Sequence, residues 1–388
     1  TPKTPTGAGS GRGEVTKSKS APAAEEWIPV AAPSSAPPPS AAATPNDANS
    51  VRAANPGKAS PDATVGAAPF SETETNGCPI SMVSGEEVLP IVDAMLPGPV
   101  PFAWQRFYRS GHRRDIGLGM GWTHTGGEVL RLESHAAVLS DTEGRELRFA
   151  LPALYQRSKL LNEGLDLDYV ASDCFILKQV GQNDKVFTRT GASGVFRLTQ
   201  IRHPAYRPAR RLLTGGGDPA RGFCLDLHYD AFGRLARVEG SWGKALRFAR
   251  NDSGHLETVT LENTRTRQTQ TVAEYAYDSE SHLISQRNAQ GAGERYTYTH
   301  HLLTQRTLAT GFSYYYEWDR TDTNARCIHT WGDNGIYDYR FKWDIDNNAS
   351  CATDSRCETT TYVHDDFGHI IHKRDPARGV QLCDYVQK

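Results

Sequence analysis

This chain has little of what marks helical, membrane-spanning or disulfide-held proteins. Only 3 of its 388 residues are Met, against 35 Gly and 22 Pro. Turn formers are abundant, so a β-rich chain is expected rather than a helical one. No apolar run reaches the roughly 18 residues that a membrane helix needs. Thr1 to Ser20 hold no apolar core of the kind a secretory signal requires. The first residue is Thr rather than Met, which suggests a processed or truncated piece. An excess of one charge is also missing, since 43 Lys and Arg face 45 Asp and Glu. No global field draws the chain to nucleic acid or to an anionic membrane, and neither partner is expected.

The cysteines exclude more than they suggest. Cys78, Cys174, Cys224, Cys327, Cys351, Cys357 and Cys383 are odd in number, scattered, and without a C-x-x-C pair. Reduced thiols in a chain made in the cytoplasm are expected, not a zinc ribbon or a disulfide framework. Cys351, Cys357 and His364 fit no standard zinc spacing. No metal or other cofactor is expected.

Residues 1–70 are mostly Ala, Pro, Ser and Thr, with Pro37-Pro38-Pro39 favouring extended chain. Such a segment buries too little apolar surface to offset its ordering entropy, so a largely disordered linker is expected. Trp27-Ile28-Pro29-Val30 is its one apolar island. Residues 71–127 read as a separate leading module. Gly77-Cys78-Pro79-Ile80 opens it, and Ser84-Gly85 makes a turn. The prolines of Leu96-Pro97-Gly98-Pro99-Val100-Pro101 exclude helix. In Trp104-Gln105-Arg106-Phe107-Tyr108, Arg106 interrupts an otherwise apolar face. The loop Gly117-Leu118-Gly119-Met120-Gly121-Trp122 lacks the following helix that a phosphate-binding fingerprint requires. It reads as a tight turn beneath Trp122.

Residues 128–222 read as short strands, among them 129–132, 137–139, 145–149 and 195–198, with a hairpin turn at Asp141-Thr142-Glu143-Gly144. Arg202 to Arg221 form a basic loop, read as a solvated one rather than a nucleic-acid contact.

From 223 to 388 the chain is periodic. Leu227-His228-Tyr229-Asp230-Ala231-Phe232-Gly233-Arg234-Leu235 is the fullest unit. The place of Tyr229 is taken in turn by Arg250, Tyr277, Tyr298, Trp318, Trp343 and His364, at steps of 21, 27, 21, 20, 25 and 21 residues. A recurrent step near 20 marks a repeat architecture. Each unit reads as one hairpin. A strand of alternating aromatics enters, and Asp230, Asp278, Asp319, Asp344 or Asp365 opens the turn by accepting backbone amides. Gly233 or Gly368 closes it. Phe312 to Asp319 shows the aromatic alternation best, with Phe312, Tyr314, Tyr316 and Trp318 on one face. These rings are read as packing against neighbouring hairpins, not as a ligand platform. The fold class expected is all-β: stacked hairpins in a large curved antiparallel sheet.

Tyr-Asp-x-x-Gly-Arg-Leu at this step resembles the YD repeat of Rhs (rearrangement hotspot) proteins. The leading residues Gly77, Pro79, Gly85, Pro97, Gly98, Arg106, Tyr108, Gly119, Gly121 and Trp122 resemble the plug-like module that precedes the repeats there. The resemblance covers about Gly77 to Gln387, with Cys78 a departure and the repeats at Arg250, Tyr298 and Trp318 degenerate. It implies a β-cocoon that encloses a C-terminal toxin and leaves the bacterial cytoplasm by type VI secretion. It further implies a spike-tip PAAR protein, an N-terminal chaperone and an immunity protein as partners. On this resemblance the chain holds only the first part of such a shell, and no toxin activity is legible in it. Asp375-Pro376-Ala377-Arg378-Gly379 reads as an in-repeat turn. Two other readings stand beside this one: an exported surface or adhesion module, and a self-cleaving shell fragment. For the last, Glu72, Glu74, Glu86 and Glu87 are the nearby acids, expected to be solvated turn charge. Every His is expected at a repeat or turn position, so no catalytic residue is assigned.

Overall fold

A computed structural model describes residues 69–190, 194–206, 222–366, 368–376 and 379–382. The expected linker, its Trp27–Val30 island, most of the basic loop and Cys383 lie outside the described residues. The described chain is all-β, with strands interrupted only by turns and short 3-10 segments such as Phe70–Glu72.

The leading module contains two small sheets. Strands β1 (Thr75–Asn76) and β2 (Ile80–Ser81) pair with each other. Strands β3 (Val88–Leu96), β4 (Phe102–Arg109) and β5 (Trp122–His124) form an antiparallel sheet in that order. The proline-rich segment turns the chain between β3 and β4. In β4, Phe102, Trp104, Arg106 and Tyr108 are all buried, so the alternation is unbroken. This corrects the reading of Arg106 as an interruption. A bulge between Val92 and Ala94 provides the reason. It sets Asp93 free of the ladder, and Asp93 neutralises the buried guanidinium.

A second group of strands follows: β6 (Val129–Leu132), β7 (Ala136–Ser140), β8 (Glu146–Ala150) and β9 (Arg157–Leu160), then β10 (Leu165–Ala171), β11 (Cys174–Gln179), β12 (Asp184–Arg189) and β13 (Val195–Arg202). The sheet closes on itself as a barrel, with β13 pairing back to β6. The first half of β13 takes β6, through Val195–Arg197, and its second half takes β14, through Gln200–Arg202. From that shared strand the sheet continues as the repeat hairpins.

Those hairpins are β14 (Cys224–Tyr229) with β15 (Leu235–Gly240), β16 (Lys244–Arg250) with β17 (Leu256–Asn263), β18 (Thr269–Tyr277) with β19 (Leu283–Asn288), and β20 (Gly293–Thr299) with β21 (Leu302–Thr307). Then come β22 (Ser313–Trp318) with β23 (Cys327–Gly332), β24 (Tyr339–Asp344) with β25 (Ala349–Asp354), and β26 (Thr359–His364) with β27 (Ile370–Asp375), and last β28 (Gly379–Leu382). Each strand pairs antiparallel with the next, as β15 with β16 and β21 with β22. Strand β22 starts at Ser313, so Phe312 lies just outside it. The ladder slips by one residue at Tyr229, Arg250, Tyr277, Tyr298, Trp318 and His364. A bulge thus marks most repeat positions and re-aims the side chain there. Trp343 pairs without a slip.

Candidate functional site: the seam between the leading module and the hairpin wall

Each incoming strand brings a buried position and, two residues later, a mostly half-buried one, with different duties. The later one, the repeat aromatic, ties its hairpin to the one before. Tyr277 Oη donates to the Leu256 carbonyl at 2.8 Å and Tyr298 Oη to that of Leu283 at 3.0 Å. Trp318 Nε1 donates to Leu303 O at 2.8 Å and Trp343 Nε1 to Cys327 O at 2.8 Å. Tyr229 Oη reaches Leu198 O at 2.7 Å and Gly126 O at 2.9 Å. The acceptor comes from the start of the preceding hairpin's outgoing strand from Tyr277 onward. Tyr and Trp therefore interchange, because each carries one donor on a flat apolar ring.

The earlier position, two residues before, faces the leading module. Phe248 packs on Trp104, with ring centroids 4.5 Å apart. Tyr275 and Tyr296 meet Asp93, Trp104 and Arg106, Tyr316 Oη donates to Cys78 O at 2.7 Å, and Tyr362 meets the Asn76 amide. Neighbouring-hairpin packing was thus only half the answer for the aromatic stretch at 312–319. Trp318 does pack that way, whereas Tyr316 is spent on the module. On the opposite face Tyr315 stacks on Trp331 at 5.5 Å.

At the centre these contacts join into one chain of bonds. Trp104 Nε1 donates to Tyr275 Oη at 2.8 Å, which donates to Asp93 at 2.6 Å. Arg106 grips both oxygens of Asp93 and donates to Tyr296 Oη at 3.1 Å. Tyr296 donates to Glu294 at 2.8 Å, and Glu294 is held by two bonds from Arg306 at 2.8 and 2.7 Å. The Arg106 and Asp93 side chains are 0% and 1% exposed, so this pair is sealed from water. Burial opposes the Arg106 charge, but Asp93 and the two tyrosines hold its pKa well above the ordinary value. Breaking such a pair from one side leaves an uncompensated buried charge. Arg106 also lies over the Trp122 ring at 4.6 Å, and Trp122 Nε1 donates to Tyr298 Oη at 2.9 Å. Tyr108 Oη donates to His301 O at 3.1 Å and accepts from Leu303 N at 3.0 Å.

The remaining module residues fit the wall, or one another, with backbone. Gly119 has φ +86°, and a Cβ there would stand 2.6 Å from the Ser281 carbonyl oxygen. Only glycine satisfies both conditions. Gly85 O accepts from Cys327 N at 3.0 Å, and Gly117 O accepts from Leu256 N at 2.8 Å. Gly77 lies against Thr330, Gly98 against Trp242, and Gly121 against Tyr108. Pro97 O accepts from Trp242 Nε1 at 3.1 Å, and Pro79 O from Val88 N at 3.1 Å. The glycine loop is held by Asp115, whose Oδ1 accepts from Gly117 N at 2.7 Å and Gly119 N at 3.0 Å.

The turns show why Asp is followed four residues later by Arg or His. Asp230 Oδ1 accepts from the amides of Phe232 and Arg234, both at 2.9 Å, while Oδ2 pairs with Arg234 Nε at 2.8 Å. Asp278 repeats this with Glu280, His282 and the His282 ring. Asp365 does so with His369. Asp319 receives Arg326 N across a longer turn, and Asp344 receives Asn347 N. Gly233 and Gly368 have φ of +75° and +83°. Sequence reading took the Arg250 unit as a degenerate copy and Asp141 to Gly144 as a hairpin turn, without seeing that both share this bonding. Asn251 takes the Asp role in the degenerate unit, accepting from His255 N at 2.9 Å. Asp141, outside the repeat, accepts from Glu143 and Arg145 amides and pairs with Arg145. The D-x-x-G-R spacing at Asp141 was the available signal.

Two expectations fail here. Glu86 and Glu87 are 3% and 0% exposed, not solvated turn charges. They are carried inward because β3 starts beside them and lays the module on the wall. Glu86 is paired with Arg109 at 3.4 Å. Glu87 has no ion pair among the described residues, and burial pushes its pKa up to about 8 against the pull of the Tyr316 hydroxyl and of Arg306. Glu72 is exposed, and Glu74 pairs with Lys373 at 2.6 Å. Second, His228, His329 and His372 lie inside strands β14, β23 and β27 rather than in turns. His329 is clasped between Glu317 at 3.2 Å and Asp338 at 3.0 Å.

The thiols at the seam are poor nucleophiles. Burial, with Glu87 nearby, pushes Cys78 up to about 12, and burial raises Cys327 well above the ordinary value. Among the described residues no group of three or more His, Cys, Asp or Glu is placed to hold a metal ion. The arrangement fastens one part of the chain onto another.

Comparison with known proteins gives three results. Residues 77–149, the leading module with the first strands after it, match a family described as a domain of unknown function, DUF6531. Double-stranded DNA deaminase toxin A of Burkholderia cenocepacia (strain H111) is 25% identical over 274 residues. The match takes in 69% of this chain but only 18% of that protein's length. Among solved structures, TcdB2-TccC3 without its hypervariable C-terminal region and the Photorhabdus luminescens Tc holotoxin pore with the TccC3-D651A mutation each align at a TM-score of 0.34. Each is 12% identical, over 72% of this chain and 18% of theirs.

Proposed function

We propose that this chain is a wall segment of an Rhs-type shell that encloses a toxin carried by the same polypeptide. The observation that carries the reading is the seam. A non-repeat module is fastened hairpin by hairpin along one face of the repeat sheet, from Phe248 to Tyr362. A wall whose aromatic face is covered in this way is built to present its other surfaces and to hold its curvature. The match to part of a deaminase toxin supports a role in toxin carriage. The type VI route, the PAAR spike protein, the chaperone and the immunity protein follow from the same reading. So do manufacture in the bacterial cytoplasm and export toward a target cell. The segment itself is assigned no enzymatic step, no nucleic acid and no membrane contact.

Limited proteolysis of the parent polypeptide tests this. Segments beyond Lys388 should resist protease as long as residues 69–388 remain folded, and become sensitive together with them when the shell is unfolded. Rapid loss of those segments from an intact shell would sink the proposal.

A further inference from the structure

Where the β14–β15 and β16–β17 turns meet the leading module, three arginines gather with few acids to balance them. Arg234 pairs with Asp230 and donates to the Gly254 carbonyl at 3.2 Å. Arg250 donates only to carbonyls, that of Gly254 at 3.3 Å and that of Leu235 at 3.2 Å. Burial, with Arg234 next to it, pulls the Arg250 pKa below its ordinary value, against the opposing effect of Asp230 and Asp115. The Arg197 side chain has no hydrogen bond or ion pair with any described residue. Its guanidinium is held by packing, 5.5 Å over the Tyr229 ring and against Gly233.

The nearby carboxylates are already engaged. Asp230 serves Arg234 and its own turn. Asp115 serves the glycine loop and His255 Nε2, the latter at 2.7 Å. Arg197 is also part of the lining of two cavities, of about 370 and about 640 Å³, both lined by residues of the Tyr229–Gly233 turn. The smaller also has Arg234, Ser253, His255 and glycine backbone in its lining. Phe232, 79% exposed, stands at the common rim with Arg234 over its ring at 4.7 Å.

We infer that the smaller cavity is an oxyanion site, taking a phosphate or carboxylate group on the Arg197 and Arg234 guanidinium groups. Planar forks of N–H donors match these oxygens in pairs, and a partly desolvated guanidinium without a protein acceptor gains most from one. The site lies at the turn end of the sheet and does not depend on the shell reading.

The test titrates the whole chain by calorimetry with pyrophosphate and, separately, with N-acetylglutamate, which separates a phosphate source from a carboxylate one. Saturable binding of at least one probe is expected, weakening as salt is raised. The R197Q variant should bind roughly tenfold or more weakly, as loss of a charge-assisted contact implies. R287Q, at an exposed position away from the cavity, should bind as the unaltered chain does. If R197Q does not fold, R197K decides, since it keeps the charge and loses the fork, and it should also bind more weakly. Absence of saturable binding by both probes, or equal affinity of the unaltered chain and the Arg197 variant, overturns the site.

Discussion

A carboxyl group buried without a free cation beside it holds its proton more tightly, and Glu87 is in that position. Arg306, the cation nearest in effect, is committed to Glu294. The native Glu87 pKa is about 8 against an ordinary 4.5, so the folded chain holds a proton that the unfolded chain releases in that window. Stability should therefore fall as pH rises from about 4.5 to about 8. Buried His112 and His124 act oppositely. Burial, aided at His112 by Arg114 and Arg109, lowers both to about 4 from 6.5, and their contribution is lost as pH falls through that range. The clean measurement is the difference between E87Q and the unaltered chain in urea midpoint from pH 5 to 9, where the histidine terms cancel. E87Q should gain relative stability steadily toward pH 8, and a flat difference would refute the buried acid. Tyr298 gives a second case. Y298F loses the bond to Leu283 O and leaves Trp122 Nε1 without its acceptor. A cost of about 1–3 kcal/mol is expected by urea unfolding, because buried partners are left unpaired.

At the scale of the element, each hairpin is fixed at its turn and, in all but the Trp343 unit, at a bulge. D278A removes two amide bonds and the His282 pairing, all local to one turn. About 1 kcal/mol should be lost in urea unfolding, with no change in the hairpins on either side. G119A is the sharper test, since it forces a side chain into the left-handed region against Ser281 O. It should destabilise by about 1–3 kcal/mol and loosen the module before the wall. Hydrogen exchange can read that order, and protection lost first in β18 and β19 would contradict it. The hairpins, their turns and their step were legible in the sequence, because Asp, Gly and alternating aromatics act within a few residues of one another. The bulges were not, since a one-residue slip leaves no mark on composition. Nor were the two duties of the aromatics distinguishable, because Tyr275 and Tyr277 differ only in what lies opposite them.

For the whole molecule, the module and the wall pack into one compact unit. Their contacts join residues as far apart as Glu74 and Lys373, paired at 2.6 Å, and the Ser350 hydroxyl donates to the Met82 carbonyl, also at 2.6 Å. Removing 69–127 should expose Tyr275, Tyr296, Tyr316 and Tyr362 together, and an apolar face of that kind aggregates. Size-exclusion chromatography should show 128–388 as large assemblies, and adding the module in trans should reduce them. A monomeric, cooperatively unfolding 128–388 would show that the wall does not need its cover.

The sequence by itself determined the all-β class, the repeat step and the turn chemistry, since all three arise from local backbone preference and side-chain period. It also set the module apart by its glycines and prolines. Only the tertiary structure decided where that module sits, and with it the meaning of Arg106, Glu86 and Glu87. A charged residue in a strand pattern looks like an interruption or a solvated turn until its partner is known. For Arg106 the partner was Asp93, freed by a bulge, and Tyr296, which lies 190 residues away. Glu87 has no ion-pair partner among the described residues, and burial raises its pKa.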